Sequence, residues 1–433
     1  MKTIIDSFHI VHRTIQKDLP LGKITKEYFT EHMRVKDERK VIRSLTACTF
    51  KNFLVFRKII KDCFADVKKM DEIIISVGLA DLIFIKSTPA EENLEIIKGL
   101  LDSNKSFISY DMLTRLYHTL PNQESIIPST VNPDSNEYLS LKYNLPEWLI
   151  EMWNHHYGQK VAQLQIEAQG KPSIQTMRVN RAKASRLNLL NTYKGLLAGG
   201  VSLTTVNYTQ RKPLRFLTAI DEGKLILIPE AVNHITNISN LRSKDSILVV
   251  DNAKSNLYLT IAEETNDKAN VILYRPNDAD RIEANKMIER YGFNSVKSES
   301  GTLTSLITLV EPESKDFVYS QPGSSNFNAI SGTPDFFIHF DKKDFDKIIL
   351  AEKEHLDECS KFVRVGGQLV YVVQTANNKE GTLVVQSFLK THPNFKMISD
   401  SQRMQFDRRH TSVYYAFLKR EKTDLEEVRK TGK

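Results

Sequence analysis

A chain of 433 residues with 41% hydrophobic content is long enough for two to three domains with sizeable cores, which excludes a disordered or a small disulfide-stapled protein. It holds no run of 18 apolar residues, which argues against a transmembrane helix. Three cysteines, Cys48, Cys63 and Cys359, are too few and too scattered for a disulfide framework and fit a reducing cytoplasm, while the formal charge of +7 invites the question of where the excess lies.

The N-terminal stretch MKTIIDSFHIVHRTIQKD has charges and histidines inside its apolar run and no small-residue cleavage site, so it reads as a folded helix and not a signal peptide. Residues 1–130 read as an all-α domain. Asp37 to Phe64 carries apolar residues at three- and four-residue spacings, and Glu91 to Leu101 and Tyr110 to Leu120 are two further amphipathic helices. His9 and His12 have helical i, i+3 spacing, but no further ligands occur at metal-site spacing, so a helix-surface pair is expected and no metal. Residues 121–140 hold three prolines among Ser and Asn and predict a linker, placed at 131–142. A helix follows from Pro146 to Gly158, in which His155 and His156 point about 100° apart and chelate poorly.

Residues 143–240 are set apart by their charge. From Lys160 to Arg215 ten basic residues accompany a single acid, Glu167, so this window alone carries +9. A polyanion such as nucleic acid suits that surface; the plainer reading is a solvated face of a lysine-rich protein. Residues 241–420 alternate β and α, with candidate strands at Ser246–Val250, Asn270–Tyr274, Asp316–Tyr319, Gln368–Val373 and Val413–Leu418. Helices are expected between them at Asp278–Tyr291 and Lys343–Phe362, and a turn at Gly366-Gly367. This α/β pattern predicts a mostly parallel, doubly wound, Rossmann-like sheet. Residues 421–433 read as a charged tail.

Two stretches carry a resemblance. Tyr143, Pro146, Trp148-Leu149, Tyr157-Gly158 and then Pro172 with Met177-Arg178-Val179-Asn180-Arg181 form one; Val365-Gly-Gly-Gln-Leu-Val-Tyr-Val-Val-Gln-Thr375 forms the other. They resemble the Sun (Fmu) family of ribosomal RNA cytosine-5 methyltransferases, whose bacterial members carry a NusB-like helical RNA-binding domain at the N-terminus. The resemblance implies a class I methyltransferase sheet preceded by that helical domain and by a small basic α/β subdomain over residues 143–240, with RNA, ribosomal in origin, as partner. It also implies that Arg178, Asn180, Arg181, Lys183, Arg186, Arg211 and Lys212 face RNA.

The chemistry that the resemblance implies is missing its parts. In the family a strand-end cysteine attacks the base; here Gln374 stands in its place, and an amide is no such nucleophile. The family's acid and second cysteine are replaced by Ser320 and Gly323. Its glycine-rich cofactor turn is replaced by a run from Asp251 to Leu257 that includes Lys254, Ser255 and Asn256 but no glycine, and its ribose-binding acid by Arg275, which only donates. Ser320-Gln-Pro-Gly323 faintly resembles the turn of amino-methyltransferases but lacks the stacking aromatic, and Cys359 reads as an ordinary helix cysteine. The expectation is therefore a cytoplasmic RNA-binding pseudoenzyme that has lost S-adenosylmethionine. Its alternatives are an active methyltransferase with an atypical site and a protein-interaction module acting through the N-terminal domain.

Overall fold

The computed structural model describes residues 2–122, 125–171, 173–210, 214–407 and 411–422, and of Arg215 the backbone only. Pro172, Arg211, Lys212 and residues 423–433 of the expected tail lie outside the described residues. The chain forms two compact units. One is Met1–Gly170 with Ile330–Lys342, the other Lys171–Ala329 with Lys343–Lys433.

The first unit is helical. Its helix Lys69–Ala80 is buried from Asp71 to Ala80 and mostly apolar from Ile73 onward, as the central element of a bundle must be. The expected helical block Asp37–Phe64 is two helices, Lys36–Lys51 and Phe53–Cys63, parted at Asn52. The break is bridged from a distance: Asn144 Oδ1 accepts from the Leu54 amide at 3.0 Å and Asn144 Nδ2 donates to the Phe50 carbonyl at 2.9 Å. Sequence spacing could not reveal a cap that arrives from 90 residues away. The expected linker also needs correction. Ser135 accepts from the Tyr138 amide and starts a helix, Asn136–Tyr143, with Val131 and Leu141 buried in the helical core. Residues 143–170, expected within the small subdomain, supply the helices Glu147–Tyr157 and Gln159–Gln169 to this unit. Leu145, Leu149, Ile150 and Trp153 give the segment its buried stripe.

The second unit holds two sheets. Strands β1 (Gln175–Val179), β2 (Leu197–Gly199), β3 (Thr205–Tyr208) and β4 (Leu225–Leu227) form an antiparallel sheet in the order β2-β3-β1-β4. The larger sheet comprises β5 (Ser246–Asp251), β6 (Asn270–Arg275), β7 (Val296–Ser300), β8 (Lys315–Gln321), β9 (Val363–Val373), β10 (Phe395–Arg403) and β11 (Val413–Arg420). Its order is β10-β11-β9-β8-β5-β6-β7. The five strands β5 to β9 pair in parallel, and β11 and β10 run antiparallel at one side. Successive residues of β5 feed opposite cores, Ile247 and Val249 one and Leu248 and Val250 the other, so its four-residue apolar run needs no alternation. The order reverses beside β5, and a doubly wound sheet places its site at the carboxyl ends there.

Gly366 and Gly367 do not form a turn that starts a strand. They sit inside β9, at a register shift opposite Lys315 and Phe317. Gly366 has φ +79°, and a Cβ on Gly367 would lie 2.8 Å from the Lys315 carbonyl oxygen, so the bulge requires both glycines.

Candidate active site

The end of β8 and the loops after β8 and β9 carry the places of the family's acid and cysteines. Gln374, directly beyond β9, accepts through Oε1 from Asn328 Nδ2 at 3.0 Å. Ser320 is fully buried, with Oγ 2.8 Å from His355 Nδ1. Gly323 is exposed, with open space where a Cβ would be. Beneath them lies a polar cluster that the sequence reading missed. Glu380 is fully buried and accepts from the Ser325 amide at 2.7 Å, Ser325 Oγ at 2.6 Å, Thr375 Oγ1 at 2.6 Å and Asn377 Nδ2 at 3.1 Å. One carboxylate thus clamps the two loops together.

The helix Phe345–Ser360 lays Glu352, His355 and Cys359 against this cluster. Burial, and then the neighbouring Glu380, push the Glu352 carboxyl up to about 11, so it is neutral. Burial holds His355 down to about 3 and raises the Cys359 thiol to about 12. The imidazole therefore resists protonation and the thiol resists ionisation. Their i, i+3, i+7 spacing on one helix face was the signal available in the sequence.

The carboxyl ends of β5 and β6 are joined by a buried ion pair. Arg275 places Nη1 3.0 Å from the Asp251 carboxylate and Nη2 3.3 Å from the Ser255 carbonyl, with its guanidinium carbon 5.5 Å from the centre of the Tyr258 ring. Asp251 also accepts from the Ser255 amide at 3.0 Å, and Ser255 Oγ donates to Gln321 Oε1 at 2.9 Å, tying in the end of β8. Burial pushes the Asp251 carboxyl up to about 6 against the pull of Arg275. Lys254 adopts φ +53°, a conformation that favours glycine, and reaches Asp280 at 2.6 Å. Asn256 donates to the Leu227 carbonyl at 2.7 Å. The turn keeps one glycine-like torsion while its side chains close on one another.

The basic window needs the strongest correction. Arg178 is fully buried in β1, with Nε 2.6 Å from Glu263, Nη1 2.9 Å from both Asn233 and Asn237, and an ion pair to Glu264. Asn180, also buried, donates to the carbonyls of Gly223 at 3.0 Å and Tyr291 at 3.1 Å. Neither is available to RNA. Arg181 is half-exposed and paired with Glu263 and Glu264. Lys183 caps the helix Asp278–Tyr291 by donating to the Arg290 carbonyl at 2.7 Å, and Arg186 donates to the Thr205 carbonyl at 2.9 Å. The approach beside Lys183 requires Gly223: its φ is +69°, and a Cβ there would meet the Arg290 oxygen at 2.3 Å. Two acids from the helix Leu257–Glu264 therefore neutralise part of a window that is almost acid-free in sequence.

The parallel core flanked by antiparallel strands defines a Rossmann-like sheet of the class I methyltransferase type. The fold is similar to the crystal structure of the PH0851 protein, with TM-score 0.75 and 16% identity over 96% of this chain and 98% of that one. It is also similar to NSun6 from Pyrococcus horikoshii, solved with SFG, with TM-score 0.58 and 13% identity over 64% of this chain and 99% of that one. Residues 145–208 match the family model described as Methyltr_RsmF/B-like, ferredoxin-like domain. A probable ribosomal RNA small subunit methyltransferase B of Bacillus subtilis is 25% identical over 266 residues, 60% of this chain and 58% of that protein. The protein of the same description from Synechocystis is 23% identical over 344 residues, 75% of this chain and 73% of that one. The chain resembles the Sun/Fmu ribosomal RNA cytosine-5 methyltransferases, and among the described residues no helix is long and apolar enough to cross a membrane.

Proposed function

We propose that this chain is an RNA-binding protein on a ribosomal RNA methyltransferase scaffold, without the methyl-transfer chemistry. The Asp251–Arg275 ion pair at the ends of β5 and β6 carries the reading. A ribose needs an acceptor at the end of the second strand, and Arg275 only donates. The methionine end of S-adenosylmethionine needs a backbone free of Cβ atoms, and Lys254 and Ser255 supply side chains there. These residues do not suit the cofactor, so no step is derived through it. Gln374 in the nucleophile's place and Ser320 in the acid's place point the same way. Ribosomal RNA is the target that the names of the relatives suggest; by analogy it is met free or in a ribosome-assembly intermediate, and the work of such a protein is cytoplasmic.

Calorimetry tests the reading. The expected result is no saturable heat with S-adenosylmethionine at about 100 μM, since losing the ribose acceptor and the open turn each costs a few kcal/mol. A micromolar isotherm would instead support a working enzyme with an atypical site. Gln374→Cys is expected to leave RNA free of 5-methylcytosine, because Ser320 and Gly323 remain and catalytic groups act as a unit. Methylated cytosine in RNA treated with the unaltered protein would sink the pseudoenzyme reading outright.

A further inference from the structure

Two cavities of the helical unit lie on either side of Pro334, which lines both. The larger, about 440 Å³, is lined by Lys26 and Arg43 together with Thr25 and Thr46. Among the described residues neither cation pairs with a carboxylate, and Arg43 lies 5.2 Å from the Phe29 ring centre. The single acid of the lining, Asp335, is committed elsewhere: it accepts from the Leu21 amide at 2.7 Å and lies 3.1 Å from His339 Nε2. The smaller cavity, about 170 Å³, is walled by the rings of Phe53, Trp148, Phe337 and Phe340, all half-buried, with Arg57 beside them. Trp148 stacks on Phe340 at 6.1 Å and meets Phe337 edge-on at 6.3 Å, and Lys342 Nζ lies 5.8 Å from the Trp148 ring centre.

Half-buried flat rings are costly to leave wet; Arg57 beside them is paired with Glu72 at 3.1 Å, and the adjoining cavity adds Lys26 and Arg43, which among the described residues have no counter-charge. Single-stranded nucleic acid meets both needs at once, since every base has a π-face and every linkage a negative charge. We propose that the two cavities form a single-stranded RNA site. The ring-walled cavity takes one unstacked base, and Lys26 and Arg43 hold phosphates of adjoining nucleotides. The site deepens the RNA-binding reading above and rests on it. It is separate from the basic window of the α/β unit, and no base pairing or sequence readout is required of it.

Tryptophan emission tests the site directly. The chain has two tryptophans, and Trp153 is fully buried, so it serves as an internal reference. Adding a short oligouridylate to the full chain is expected to quench emission saturably. Trp148→Phe should keep the Trp153 emission, which also reports folding, and lose the saturable quench. The Lys26→Ala, Arg43→Ala variant should bind more weakly and lose about 1.4 from the log–log salt slope, about 0.7 for each single-strand phosphate. Phe337→Ala should weaken binding roughly ten-fold through lost stacking. Filter retention of the same RNA is measured alongside. Retained RNA with no Trp148 quench and an unchanged salt slope overturns this site and leaves the RNA-binding reading standing. No retention at all overturns both. Equal quenching by poly-glutamate would reassign the cavities to an acidic peptide and overturn the proposal.

Discussion

Arg178→Ala should lower the stability of the α/β unit by about 3–5 kcal/mol, the range for breaking a buried ion pair from one side. The substitution leaves Glu263, only 4% exposed, with Arg181 as its remaining cation. It also removes the donor to the amide oxygens of Asn233 and Asn237. Arg178→Lys should rescue little, because three separate acceptor directions need the planar fork of a guanidinium. Urea unfolding measures the effect as a fall in midpoint at unchanged slope. Lys194→Ala is the control: Lys194 is exposed in the same window, and its loss should change stability by no more than about 0.5 kcal/mol. RNA binding separates the two in the opposite sense. If the window meets phosphates, removing Lys194 lowers the salt slope by about 0.7–0.9, and Arg178 contributes nothing to it. A stability loss below about 1 kcal/mol for Arg178→Ala would mean that the buried pairs with Glu263 and Glu264 do not form.

That residue shows how far sequence carries. The run Met177-Arg178-Val179-Asn180-Arg181 is visible as a motif, and charge counting turns it into an RNA surface. Its partners Glu263 and Glu264 lie more than 80 residues downstream, on a helix whose buried face cannot be known before the sheet is built. The central strands were legible because parallel strands buried on both faces read as short apolar runs, ILVV in β5 and LVYVV in β9. β7, with the sequence VKSES, and β10, with five exposed residues in a row, are sheet edges that carry little apolar signal. The strands of the smaller sheet span three to five residues, too short for any period to register. In the candidate site the substitutions at Gln374, Ser320, Gly323 and Arg275 were legible one by one. The clamp at Glu380 was not, because its ligands come from two loops about 50 residues apart.

Arg275→Ala should make stability fall with pH where the wild type levels off. The Asp251 carboxyl stands near 6 in the folded chain against 3.8 for an ordinary aspartate, raised by burial and restrained by Arg275. A raised folded value means that the native state holds the proton more tightly than the unfolded one. The contribution is therefore fully present below about pH 4 and is lost as pH rises through about 6. Above that value the wild-type carboxylate is ionised and paired at 3.0 Å. Without the guanidinium the carboxyl must climb further before it ionises, so the variant goes on losing about 1.4 kcal/mol per pH unit after the wild type has stopped. At about pH 5 the variant lacks mainly the packing of the Arg275 guanidinium over the Tyr258 ring and its bond to the Ser255 carbonyl; at about pH 8 it also holds an uncompensated buried charge. Adding Asp251→Asn to the variant should remove the pH dependence while leaving the packing loss. Urea midpoints for the three proteins across this range decide the matter. Parallel curves for wild type and Arg275→Ala would show that Arg275 does not compensate Asp251, and the ion pair could then no longer serve as the feature that closes the ends of β5 and β6.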